Sequence, residues 1–277
     1  MTYLGIDGGG SGCRARLVDE AGQVLGEGWA GPANIASDFA GALANIRSAA
    51  QMAYGGRVAP ETIRAVAGIA GANLSGAGPE LAAQLPFPVR VVQDIAISVR
   101  GALGPGDGIV AALGTGSIFA RQREGQVRSV GGWGLRIGDE ASGAWIGRAV
   151  VMRAARMIDG FIAPTPLLAR IAGELGGAPG IVQFSLRANP ADYAGFVPRI
   201  LEAEAEGDEA AGAILAAARS EIRAAIRLLQ PRDTVLPVVW TGGLGPALAL
   251  GDWPRVEAAG DALAGAIEMA RGTEWTA

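Results

Sequence analysis

Asp94 stands at the end of an apolar run, Arg90-Val91-Val92-Gln93, and is followed at once by Ile95-Ala96-Ile97. A carboxylate delivered by a strand into apolar company can accept a proton from an alcohol, which is what transfer of a phosphoryl group to a hydroxyl requires. An aspartate there could equally cap a helix over 95–101. A second carboxylate, Asp7, closes Tyr3-Leu4-Gly5-Ile6 and opens Gly8-Gly9-Gly10-Ser11-Gly12. Glycines at that density let backbone amides turn toward a phosphate, and Ser11 adds a hydroxyl donor. Gly114-Thr115-Gly116-Ser117 offers a second set of bare amides and hydroxyls after another apolar run, and two such hairpins can clamp one triphosphate. Gly8, Gly10 and Gly12 mimic half of a dinucleotide fingerprint, but that fingerprint opens a helix, whereas 13–18 alternates as a strand.

What is missing narrows the chemistry further. The 277 residues contain no Lys and no His, and Cys13 is the sole cysteine. Imidazole-assisted nucleophiles, a Schiff-base lysine and a Walker-type lysine are therefore excluded, as is an iron–sulfur cluster or structural zinc held within one chain. Proton transfer and metal binding fall to Asp, Glu, hydroxyls and backbone amides. A net charge of −4 with singly scattered arginines offers a polyanion no basic surface, so nucleic acid is not the expected partner. Half of the residues are hydrophobic, yet the uncharged stretch 65–79 is broken by Gly, Asn, Ser and Pro and is too short to span a membrane. The opening residues carry no basic leader or apolar signal core, so a cytoplasmic location is expected.

The elements that must position these groups follow from periodicity. Residues 3–7, 14–19 and 23–28 read as three short antiparallel strands, 38–54 as an amphipathic helix, and 63–70 and 89–92 as buried strands. Residues 108–113 and 118–123 repeat the strand–Gly loop–strand pattern of the opening, which suggests a duplicated architecture. From Ser142 the pattern turns helical, over 144–158, 166–175, 191–206 and 209–229. A last apolar strand over 236–241 then feeds Gly242-Gly243, and 256–271 reads as a closing helix.

Three glycine-centred segments, Asp7-Gly8-Gly9-Gly10-Ser11, Leu113-Gly114-Thr115-Gly116-Ser117 and Trp240-Thr241-Gly242-Gly243-Leu244, resemble in order the two phosphate motifs and the adenosine motif of the actin-like ATPase superfamily. The long segment Gly131-Gly132-Trp133-Gly134-Leu135-Arg136-Ile137-Gly138-Asp139-Glu140-Ala141-Ser142-Gly143 is similar to the signature of its BadF-type branch, which includes N-acetylglucosamine and glucosamine kinases. Gly31-Pro32-Ala33-Asn34, Gly68-Ile69-Ala70-Gly71 and Gln93-Asp94 extend the likeness along the chain. The resemblance implies an α/β, two-lobed actin-like (ribonuclease H-like) fold, each lobe a mixed sheet flanked by helices and the second lobe more helical. The lobes are expected at 1–98 and 99–261, with a closing helix at about 262–277 returning to the first.

The resemblance also implies an ATP- and Mg²⁺-dependent kinase that phosphorylates the 6-hydroxyl of N-acetylglucosamine or glucosamine. Asp94 would be the base and Asp7 would approach the metal through water. Gly9, Gly10, Ser11, Gly12, Thr115, Gly116, Ser117, Gly242 and Gly243 would hold the nucleotide, and Asn34, Gly71, Trp133 and Asp139 the sugar. A homodimer is expected. Asn34 could instead close a turn, Trp133 belong to a core, and Asp139 cap the helix that starts near Ser142. The departures Gln93, Ile95 and Cys13 fall at positions where the branch often has other residues, and Cys13 reads as packing. Two alternatives use the same nucleotide motifs: a 2-hydroxyacyl-CoA dehydratase activator, which needs cluster cysteines, and a sensor that binds without turnover. The acidic run 202–209 reads as a solvated helix end.

Overall fold

The first three strands, β1 (Thr2–Gly8), β2 (Cys13–Val18) and β3 (Val24–Ala30), are joined by turns too short for anything but antiparallel return, and they pair that way. The computed structural model that shows this describes residues 1–72 and 76–272. Helix α1 (Phe39–Tyr54) starts where Asp38 accepts the Gly41 N–H and stops at Gly55 in the left-handed conformation. It carries the chain across the sheet, so β4 (Ile63–Ile69) lies parallel to β1, and after α2 (Ala77–Ala83), β5 (Val89–Gln93) lies parallel to β4. The sheet order is β3-β2-β1-β4-β5. One face packs Leu4, Ile6, Ala67 and Ile69 against Ile46, Ala49 and Ala53 of α1. The other packs Val66 against Ile97 of α3 (Asp94–Leu103) and against Ala266 and Ala270 of the last helix.

A second five-stranded sheet has the order β10-β9-β6-β7-β8, from β6 (Gly108–Leu113), β7 (Ser117–Arg123), β8 (Gln126–Gly131), β9 (Val238–Thr241) and β10 (Arg255–Val256). Between β8 and β9 run α4 (Gly143–Ile158), α5 (Pro166–Glu174), α6 (Gly177–Arg187), α7 (Pro190–Ala194), α8 (Val197–Ala205) and α9 (Glu209–Leu229). Their apolar faces close one core with the sheet, in which Ile109, Leu113, Ile146, Val150, Ile214, Ile222 and Ile226 are almost fully buried. Each such side chain contributes about 1.5–3 kcal/mol. The short α10 (Gly245–Leu248) follows β9, and α11 (Ala262–Arg271) ends the described chain.

The chain divides into two compact units: Met1–Gly108 with Gln122–Val127 and Glu257–Ala277, and Ile109–Arg121 with Arg128–Val256. Each is a mixed sheet flanked by helices, the fold class expected from the sequence. Some elements differ from expectation. The helix expected over 191–206 is two helices, because Pro198 has no N–H to return to the turn before it, and the chain breaks at Gly195-Phe196. The closing helix begins at Ala262 rather than near 256: Val256 pairs with Val239 as β10, and Asp261 supplies the cap by accepting the Ala264 N–H. Strand β8 and helices α2 and α6 had no recognised signal: β8 is a mostly exposed strand without apolar alternation, and the Gly and Pro of α2 and α6 hide a short period. No helix among the described residues is long and apolar enough to cross a membrane.

Candidate active site

In the first unit the register fixes which strand ends coincide. Gly8 lies opposite Ile69 and Ile69 opposite Gln93, so β1, β4 and β5 end level and deliver Asp7, Ala70-Gly71 and Asp94 to one edge. Carboxyl ends of parallel strands are where α/β sheets bind ligands. The loop after β1 is tied down by three bonds: Gly9 N–H to Gly12 O at 2.9 Å, Ala33 N–H to Gly9 O at 2.8 Å and Ala70 N–H to Gly8 O at 2.8 Å. Around Gly9 and Gly10 the space is open, Gly12 lies beside the Ala30 carbonyl, and the Ser11 hydroxyl has no hydrogen bond among the described residues.

Asn34 and Gly71 come together. The Asn34 Oδ1 accepts the Ala36 N–H at 2.9 Å, and Gly71 (φ +83°) sits so close that a Cβ there would lie 2.9 Å from that oxygen and 2.7 Å from Ala36 N. Glycine is required on both counts. The Asn34 oxygen thus closes the turn, and its amide nitrogen makes no hydrogen bond among the described residues.

Asp94 is the first residue of α3, with Gln93 in the cap position. One carboxylate oxygen accepts the adjacent Ile95 N–H at 2.8 Å. Burial pushes its pKa above the ordinary aspartate value, the Ile95 bond opposes that, and the negative charge of Asp7 adds to it. Asp7 is held by Arg14, its direct cross-strand partner, through Nη2 to Oδ2 at 2.6 Å. The sequence reading passed over Arg14, which the register of β1 and β2 sets opposite Asp7. Cys13 packs inward, its thiol pushed up to about 12 by burial and by Asp7, so it is inert.

In the second unit, β6 and β9 run parallel with Ala112 opposite Thr241, which brings residues 114–117 and Gly242-Gly243 to one sheet end. Gly242 has φ +79°, and a Cβ there would stand 2.3 Å from the Leu113 carbonyl. That carbonyl also accepts the Leu244 N–H at 2.9 Å. Thr115, Gly116 and Gly243 are exposed. Ser117 differs from its neighbours: it is buried, and its hydroxyl donates to the Glu140 carbonyl at 2.7 Å, so it braces the loop and offers a ligand no hydroxyl.

The segment after β8 turns on Gly131, Gly132 and Gly134, all at positive φ, and leaves Trp133 70% exposed rather than in a core. Asp139 is 8% exposed. Its Oδ1 accepts the Gly134 N–H at 2.9 Å, while Oδ2 lies against Gly116, 3.0 Å from where a Cβ would be. Burial raises its pKa, the Gly134 bond opposes this, and Glu140 adds to it. Ser142, not Asp139, caps α4 by accepting the Trp145 N–H. Asp139 and Ala141 both hold positive φ without being glycine, a strain that clusters at functional sites.

Residues 4–251 match the model of the BadF/BadG/BcrA/BcrD ATPase family. The chain belongs to this family. It is 31% identical to glucosamine kinase GspK of Vibrio cholerae serotype O1 over 227 residues, covering 79% of this chain and 77% of that protein. It is 32% identical to the N-acetylmuramic acid/N-acetylglucosamine kinase of Clostridium acetobutylicum over 169 residues, 57% of this chain and 55% of that one. A solved structure from Chromobacterium violaceum, provisionally named an N-acetylglucosamine kinase, superposes with TM-score 0.85 at 31% identity, covering 98% of this chain and 99% of the other.

As a member of an ATPase family, the chain presents glycine loops suited to phosphates at the carboxyl ends of both sheets. Among the described residues no group of three His, Cys, Asp or Glu side chains could cage a metal. Asp7, with Oδ1 unbonded among the described residues and beside an open glycine loop, suits a cation such as Mg²⁺, which takes one or two carboxylates and otherwise keeps phosphate and water ligands.

Proposed function

We propose that this family member is an ATP-dependent sugar kinase that phosphorylates the 6-hydroxyl of an amino sugar, glucosamine or N-acetylglucosamine. Asp94 is the base. Its placement carries the reading: a carboxylate bonded only to backbone N–H groups among the described residues, a proton affinity raised by burial and by Asp7, and a strand end level with the first glycine loop. A base of raised pKa takes the hydroxyl proton more readily as the phosphoryl group arrives. The kinase relatives support sugar-kinase activity as such.

The amides of Gly9, Gly10 and Gly12 and the Ser11 hydroxyl receive phosphate oxygens in this reading, as do the amides and hydroxyl of Thr115-Gly116. Ser117 contributes only by holding its loop, and Gly242-Gly243 leave room for the adenosine end. Mg²⁺, bound to the phosphates and approached by Asp7, supplies charge neutralisation on the transferring group. The Asn34 amide, the Gly71 turn, the exposed Trp133 ring and Asp139 bind and orient the sugar.

The test is sugar-dependent ADP release measured with glucose, glucosamine, N-acetylglucosamine and N-acetylmannosamine, with ³¹P and ¹³C spectra of the product locating the ester. Turnover is expected on glucosamine or N-acetylglucosamine, with the phosphate on the 6-oxygen. ATP and sugar bound without sugar-dependent ADP release would leave a sensor instead. Asp94→Asn should lower kcat by roughly 10²–10⁴-fold, the usual worth of a general base, while calorimetry still detects sugar binding. Unchanged turnover removes Asp94 from this role.

A further inference from the structure

We propose that Arg14 couples the divalent cation to the nucleotide: it neutralises Asp7 while the metal is absent and turns to the phosphates once the metal takes that carboxylate. The inference rests on the reading of Asp7 as the metal-side carboxylate. Asp7 and Arg14 face each other directly across β1 and β2, and the guanidinium Nη2 lies 2.6 Å from Oδ2. The Asp7 side chain is 21% exposed and that of Arg14 48%, so the bond closes the solvent side of the carboxylate yet is weak enough to exchange. The remaining guanidinium N–H groups of Arg14 make no hydrogen bond among the described residues, and Asp261 acts on Arg14 through its charge alone. Two residues before Arg14 the glycine loop ends, with open space at Gly9 and Gly10.

A guanidinium fork fits a phosphate as well as it fits a carboxylate, so the group released from Asp7 has a new partner only when a nucleotide arrives with the metal. A bare cation must break the Asp7–Arg14 bond with nothing in return. Metal and nucleotide binding are thereby made cooperative, and by linkage each raises the affinity for the other. Arg16 is the natural control. It lies on the same face of β2, pairs with Glu27 at 2.7 Å and Asp261 at 3.5 Å, and does not touch Asp7.

The experiment titrates the full chain with Mn²⁺, free metal being read by paramagnetic resonance, with and without ADP. Arg14→Gln and Arg14→Met are both made, so that one variant's failure to fold by circular dichroism leaves the other. Mn²⁺ alone should bind these variants about fivefold tighter than wild type, the equivalent of removing an exposed ion pair, and the gain should vanish with ADP present. Arg16→Gln should match wild type. Unchanged Mn²⁺ affinity in the Arg14 variants, an equal gain with and without ADP, or the same gain in Arg16→Gln overturns the proposal. Asp7→Asn separates the two readings: if it binds Mn²⁺ as wild type does, the metal role of Asp7 itself fails. If it loses Mn²⁺ while the Arg14 variants change nothing, only the role of Arg14 fails.

Discussion

Asp94 sets a carboxylate in a half-buried place, and ionising it there has a cost in stability that can be read separately from activity. Its folded-state pKa lies above that of the unfolded chain, so between the two values the folded protein binds more protons. The contribution is most favourable below the unfolded value, near about 3.9, and is lost as pH rises through the folded one. Asp94→Asn should therefore melt at a higher temperature than wild type at pH 7, with the difference closing toward pH 4, while turnover is lost. In the wild type, kcat/KM should fall on the acid side through an apparent pKa above the ordinary aspartate value, because the ionised form is the base. That Asp94 and Asp7 stand at strand ends was legible in the sequence, because each closes an apolar run of strand length. The inward turn of the Ser117 hydroxyl was not, since it depends on where the Glu140 carbonyl arrives from a distant part of the chain.

Elements are held to one another by glycines at their closest approaches. Where α3 meets α11, a Cβ on Gly101 would lie 1.9 Å from the Asp261 carbonyl and one on Gly265 2.1 Å from the Ile97 carbonyl. Neither obstacle is a movable side chain. Gly265→Ala should lower stability by about 3 kcal/mol, the upper end for overpacking, measured as a shifted denaturant midpoint with little change in its slope. The β7–β8 turn offers the opposite case: Glu124 is exposed and holds φ +51° beside Gly125 at φ +74°. Asparagine tolerates that region far better than glutamate. Glu124→Asn should stabilise by up to about 1 kcal/mol in the same measurement, and no gain would mean the turn is strained by something else. Long helices such as α4 and α9 were legible because many turns repeat one apolar face. The break at Gly195-Phe196 was missed because a 3.6-residue period survives it, even though Pro198 forbids a continuous ladder.

At the scale of the whole molecule, the first unit is assembled from three separate stretches of chain, and its last helix packs on β1, β4 and α3. Val66, Ile97, Ala266 and Ala270 are buried together only when α11 is in place. Removing residues 257–277 should expose that face, so the truncated chain is expected to lose its cooperative melt and bind a hydrophobic dye; a retained sharp melt would show α11 to be dispensable. The sequence by itself determined the fold class, the three glycine loops, the two strand-end carboxylates and the lack of any imidazole or lysine side chain. Those properties depend on residue type and on spacing within a few turns of chain, which local sterics translate directly into structure. Only the tertiary structure decided that Arg14 closes over Asp7, that Gly71 fits under Asn34, that Asp139 lies against Gly116 and that Ser117 faces inward. Each of those contacts depends on strand register or on the meeting of segments far apart in the chain, and no local pattern records either.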